Sequence, residues 1–179
     1  MTAFDLSDFV IIAHSAAAAV ALSYAADHDG ISGIVLVDPA TDPRAMPSDL
    51  REGFVHDMAG LDSAAAFQKY VASIAGGDTD VRSQVLADAA LVGPAARAGL
   101  AAAFAAWNPE FALDAYLGPM LILSTPATDI DCAKYRLRPN IPHQVVQTKG
   151  HWMQLVHPEI VADAIRAFVR KPAQPAAVI

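Results

Sequence analysis

The chain has 179 residues, 54% of them apolar, and a formal net charge of −7. That is enough for one domain with a core filled largely by alanine, and the scattered Lys and Arg argue against nucleic acid as a partner. Cys132 is the only cysteine, so an internal disulfide is excluded and a reducing, cytoplasmic setting is expected. No basic-then-apolar leader opens the sequence, and the longest apolar stretch, Val10 to Leu22, is too short to span a bilayer, so no membrane association is expected.

Thr2 to Asp8 reads as a short polar connection leading into a strand. Phe9 to Ala13 is an apolar, β-branched run of the buried-strand type. It ends at His14-Ser15, and an alanine-rich helical stretch, Ala16 to His28, starts at once and stops at Asp29-Gly30. Ile34 to Val37 is a second apolar strand, closed by Asp38-Pro39. Buried strands alternating with helices predict a parallel sheet with helical crossovers.

From Thr41 to Gly118 the pattern changes. Ser48–Ala59, Ser63–Ala75, Asp80–Leu91 and Pro94–Ala106 all read as helices, punctuated by Gly60, Gly76-Gly77 and Gly93-Pro94. A long helical insertion between two strands is expected to form a cap over a site. Pro119 to Ser124 returns to strand, and Gln144 to Thr148 is a shorter one. Pro158 to Arg170 is the last helix, with proline at its first turn and Arg166, Arg170 and Lys171 near its carboxyl end. The expected division is a core of residues 1–40 and 119–171, a cap of 41–118, and a flexible tail of 172–179.

A serine on a sharp strand-to-helix turn has the layout of a nucleophile elbow. Backbones crowd at such a turn, so small residues are needed two before and two after the serine; here they are Ala13 and Ala17, which tolerate positive φ less well than glycine. A serine hydroxyl needs a neighbouring base to attack at neutral pH. His151, in Lys149-Gly150-His151-Trp152, follows the last strand and precedes the last helix. Ser15 and His151 thus both fall at the carboxyl edge of the predicted sheet, where such folds place their sites.

These segments together resemble the carboxyl-terminal part of an α/β-hydrolase of the esterase and haloperoxidase-like type. Ala13-His14-Ser15-Ala16-Ala17 is similar to that family's Gly-His-Ser-x-Gly elbow, Gly33 to Pro39 to the strand after it, and Gly150 to Leu155 with His157-Pro158-Glu159 to its histidine loop. The resemblance covers nearly the whole chain apart from the cap. It implies an α/β fold with a short parallel sheet of about four strands and a helical cap. It also implies serine-dependent hydrolysis of small apolar carboxylic esters, with no cofactor. Cofactor-free lyases and perhydrolases share the same triad.

In that comparison Ser15 is the nucleophile, His151 the general base, and Ala16 N–H an oxyanion donor. The acid is expected on the loop after Leu121–Ser124, where Asp129 ranks first and Asp131 second, although neither is in register with the usual spacing; Asp38, after the preceding strand, ranks third. Trp152 and Met153 are expected to line a substrate pocket, with Phe54, Phe67, Phe104 and Trp107 as further apolar candidates. His14 is expected to pack under the elbow, His28 and His143 at the surface, His56 in the cap and His157 near the start of the last helix. No histidine pair has convincing metal-ligand spacing, so no metal is expected.

The resemblance also implies strands and an oxyanion loop ahead of the elbow that this sequence does not contain. The strand Phe9–Ala13 is therefore expected at a sheet edge, where it would pair with a second copy in a homodimer. The alternative to an esterase is a catalytically weak or inactive interaction module of the same fold.

Overall fold

The computed structural model of the chain describes residues 7–40, 42–131 and 141–170, without the side chains of 130 and 131. Four strands, β1 (Phe9–His14), β2 (Ile31–Val37), β3 (Met120–Ser124) and β4 (His143–Val145), form one sheet in the order β1-β2-β3-β4, all parallel. Helix α1 (Ala17–Asp27) makes the first crossover. Five helices follow β2: α2 (Ser48–Ala59), α3 (Ser63–Ile74), α4 (Thr79–Ala90), α5 (Pro94–Ala106) and α6 (Pro109–Ala115). After β3 come α7 (Pro126–Asp131), then, beyond β4, the single turn α8 (Met153–Val156) and the closing α9 (Pro158–Arg170). No single helix among the described residues is long and apolar enough to cross a membrane.

The two-residue period of β2 divides the core. Ile34 and Leu36 pack with Leu22, Leu113 and Ile122 on the α1–α6 side, whereas Val35 and Val37 pack with Leu123, Met153 and Val161 on the α9 side. Burying each of these large aliphatic side chains stabilises the fold by about 1.5–3 kcal/mol. At Gly33 the sheet leaves room for α9: a Cβ there would lie 2.7 Å from the Phe168 ring.

Two elements differ from the sequence expectation in a way that matters. Pro109–Ala115 is a helix signalled by Asn108, whose side chain accepts from Glu110 N–H at 3.0 Å, and by Pro109 in the first turn. It buries Ala112 and Leu113 in the α1-side core, so this last part of the inserted segment belongs to a layer of the sheet. The loop expected after β3 is likewise helical, as α7. Helices α3 and α4 have their own small core of Val71, Ala75, Val81, Val85 and Ala89, which Trp152 and Val156 join from the histidine loop. Cys132 and the tail 172–179 lie outside the described residues.

Candidate active site

The elbow is built at the end of β1. Ser15 has φ +56°, a left-handed conformation that a non-glycine residue adopts at a cost of about 1–3 kcal/mol. Its N–H donates to Val37 O at 3.0 Å, and its carbonyl accepts from Ala18 N–H at 3.0 Å and Ala40 N–H at 3.2 Å, which hold the turn in place. Ala13 and Ala17 are not among the positive-φ residues, so alanine suffices at both positions: the strain sits on Ser15 alone. Ala16 caps α1, and its N–H takes no backbone partner among the described residues.

His151 is held from α3. Its N–H donates to Ile74 O at 2.9 Å, at the carboxyl end of α3. Beside that bond two backbones touch. Gly76, at φ +81°, has no room for a side chain: a Cβ would lie 2.6 Å from Gly150 Cα. The imidazole Nδ1 is 2.5 Å from Asp38 Oδ2, and Nε2 is buried with no hydrogen-bond partner. Ser15 Oγ does not reach Nε2 in a hydrogen bond here. Contacts of this kind are commonly long before substrate arrives.

The carboxylate at the imidazole is thus Asp38, ranked third from sequence, and the ranking of Asp129 and Asp131 above it is corrected by the geometry. Asp38 follows β2 directly, 1% exposed, with φ +41° and its N–H donating to Leu123 O at 2.6 Å. Its Oδ1 accepts from Thr125 N–H at 3.2 Å and from the Thr128 hydroxyl, leaving Oδ2 for His151. Asp129, one residue further along α7, points elsewhere: it accepts from Ser124 Oγ at 3.0 Å and lies 3.9 Å from His143 Nε2. The side chain of Asp131 lies outside the description. The segment after β3 therefore contributes one backbone N–H and one hydroxyl that orient the acid. Thr125 and Thr128 went unrecognised in the sequence; the Thr-Pro-Ala-Thr spacing at the start of a helix was the available signal, since a hydroxyl there bonds back to the first turn.

His14, expected under the elbow, packs beside the His151 ring. Its Nε2 is 3.0 Å from His151 O, so the ring donates there as the Nε2–H tautomer, and its centroid is 4.5 Å from the His151 ring. Burial, and then the nearby His151 charge, push its pKa below the usual histidine value. His28 and His143 are exposed, His56 is exposed on α2, and His157 immediately precedes α9.

Ser15, Ala16, His151 and Trp152 line a cavity of about 160 Å³, roofed by residues of α2, α3 and α5, including Phe54, Phe67 and Phe104. Met153 does not line it. The side chain is fully buried in the α9-side core, because α8 turns it inward while Trp152 remains at the rim. Trp107 packs on the α1-side core instead. Another cavity, of about 270 Å³, lies beside the Gly76–Gly150 contact, and neither Ser15 nor His151 lines it.

A parallel α/β sheet with a serine in a left-handed strand-to-helix turn is the architecture of the α/β-hydrolase class. The chain belongs to the alpha/beta hydrolase family, whose model matches residues 2–164. A hydrolase from Oleispira antarctica superposes with a TM-score of 0.76 at 18% identity, over 94% of this chain and 67% of that one. A bromoperoxidase from Bacillus anthracis gives 0.75 at 16% identity, over 93% and 69%. An esterase from Exiguobacterium antarcticum gives 0.73 at 17% identity, over 93% and 68%. At these identities the likeness is one of fold. No curated protein matches the chain.

Proposed function

We propose that the chain hydrolyses small apolar carboxylic esters through Ser15, His151 and Asp38. The observation that carries this reading is the buried imidazole, tied to Asp38 through Nδ1 and left without a partner at Nε2, in a cavity that Ser15 also lines. A carboxylate on Nδ1 fixes the tautomer with a lone pair on Nε2 and stabilises the imidazolium that forms when Nε2 takes a proton. Ser15 Oγ attacks the ester carbonyl carbon as its proton passes to Nε2. The carbonyl oxygen becomes an oxyanion that Ala16 N–H receives at the amino end of α1. Collapse expels the alkoxide, which takes the proton from Nε2, and water then cleaves the acyl-serine by the reverse sequence. Helices α2, α3 and α5 act as the cap, and their aromatic and aliphatic lining favours an apolar acyl group. No step calls for a cofactor.

The test is hydrolysis of p-nitrophenyl acetate by the protein beside its Ser15→Ala variant, with an expected loss on the order of 10³-fold or more. Equal rates in the two would overturn the reading. A second reading, a weakly active module that assembles through its edge, rests on β1 being outermost in the described sheet with Ile12 52% exposed. In it two copies pair their β1 strands as a homodimer. Sedimentation showing a monomer both for the protein and for Ile12→Lys would remove it.

A further inference from the structure

Ser15 and His151 come to the cavity from opposite sides of the sheet. Ser15 leaves β1, His151 follows β4, and β1 and β4 are the outer strands of the described order β1-β2-β3-β4. The elbow is fastened to the end of β2, through Ser15 N–H on Val37 O and Ala40 N–H on Ser15 O. The histidine loop is fastened to α3, through His151 N–H on Ile74 O, and to Asp38 through the imidazole. Neither set of bonds joins the loop to the elbow. His14 does: its Nε2–H donates to His151 O at 3.0 Å, and among the described residues this is the one hydrogen bond that runs directly between the elbow and the histidine loop. The His14 ring also packs on that loop, with its centroid 4.5 Å from that of His151 and 6.0 Å from that of Trp152. His14 precedes Ser15 in the chain, so this contact is made by the residue next to the nucleophile.

We propose that His14 is a positioning residue, which ties the His151 backbone to the elbow so that Nε2 is held where Ser15 Oγ can pass it a proton. The proposal rests on the serine-hydrolase reading above. His151 is then held at its N–H by Ile74, at its C=O by His14 and at its ring by Asp38, which leaves its backbone and side chain little freedom. Rates respond steeply to such placement: a shift of about 1 Å can cost on the order of 100-fold. Donation to a carbonyl needs a proton on Nε2, and the neutral ring supplies it; burial, and then the His151 charge, hold the His14 pKa below the ordinary histidine value. A neutral His14 also puts no second positive charge beside the imidazolium that forms on His151. His14 keeps its proton throughout and takes none from Ser15.

Three variants separate the donor from the ring. His14→Phe keeps a ring and has no donor. His14→Gln loses the ring and carries an amide N–H about as far out as imidazole Nε2, whereas the amide nitrogen of His14→Asn corresponds to Nδ1 and falls short. Steady-state hydrolysis of p-nitrophenyl acetate is compared for the protein, these variants and Ser15→Ala. The expected result is a fall in kcat on the order of 10-fold in His14→Phe and His14→Asn with KM changed little, and a kcat within about threefold of the protein in His14→Gln. A ring that only packs gives the reverse order, His14→Phe retained and His14→Gln impaired, and that result overturns the proposal. So does a kcat in His14→Gln as low as in His14→Asn, or an unchanged kcat in all three. If His14→Phe does not fold, the Gln and Asn variants decide alone, since both lose the ring and differ in reach. Each of these outcomes leaves the serine hydrolase standing; wild-type rates no faster than Ser15→Ala overturn both.

Discussion

The ends of β2 and β3 lie side by side at one edge of the sheet, and each is followed within a few residues by an aspartate, yet the two carboxylates have different surroundings. Asp38 is 1% exposed, stands at the strand end itself, and divides its oxygens between the Thr125–Thr128 hydroxyl turn and His151. Asp129 is displaced along α7, its side chain 31% exposed, and spends its contacts on Ser124 and His143. A carboxylate serves an imidazole when it is desolvated, aimed and held; being on a nearby loop is insufficient. The two ends are nonetheless one device, since the β3 side aims the β2 acid.

The comparison breaks most visibly if the two aspartates are neutralised in turn. Asp38→Asn is expected to lower kcat on the order of 10⁴-fold, because an amide N–H donating to Nδ1 leaves the imidazole in the tautomer whose Nε2 carries the proton. Asp129→Asn is expected to stay within about twofold, since its partners are a serine hydroxyl and a partly exposed histidine. Comparable losses in the two variants, measured on one ester, would return the role to the β3 loop. Thr128→Val sharpens the point. It deletes a hydroxyl bond to a buried carboxylate, commonly about 1.5–3 kcal/mol, so a loss of about tenfold in kcat is expected with Thr125 N–H still in place. A kcat equal to that of the unaltered protein would show that Thr128 does not aim the acid.

The smallest effect concerns His14, whose ring packs on His151. Its pKa is lowered in the folded chain from the ordinary 6.5, so the unfolded chain binds the extra proton first. The stability that neutral His14 contributes is whole above about pH 6.5 and is lost as pH falls through the lowered folded value, at no more than about 1.4 kcal/mol per pH unit. Urea unfolding between pH 7.5 and 5 is expected to show this decline, and His14→Gln to flatten part of it. An equal slope in that variant would assign the decline to other groups.

Much of this was legible in order and period. The β-branched run Phe9–Ala13 meeting an alanine helix at Ser15 specified the elbow, because a strand can enter a helix with so little chain only through a sharp turn. The long helix signals in 48–106 were read within about a residue or two of their ends, since their apolar spacing and Gly-Pro punctuation are local. Pro109–Ala115 and Pro126–Asp131 were missed because each is short, and one or two turns carry little periodicity. Met153 was misplaced for a related reason: beside Trp152 in sequence, it faces the opposite way once α8 closes its single turn.

The sequence by itself determined the chemistry on offer and its order: a strained serine, then candidate acids, then a histidine, on strands that must lie parallel because helices separate them. Which carboxylate meets the imidazole was decided only by tertiary structure. So was the docking of α3 on the histidine loop through the bare Gly76–Gly150 contact. The physical reason is that these choices depend on directions at strand ends and on close approach of distant backbones. Linear spacing records which residues are available at an edge, but an ångström-scale hydrogen bond selects among them by aim and burial.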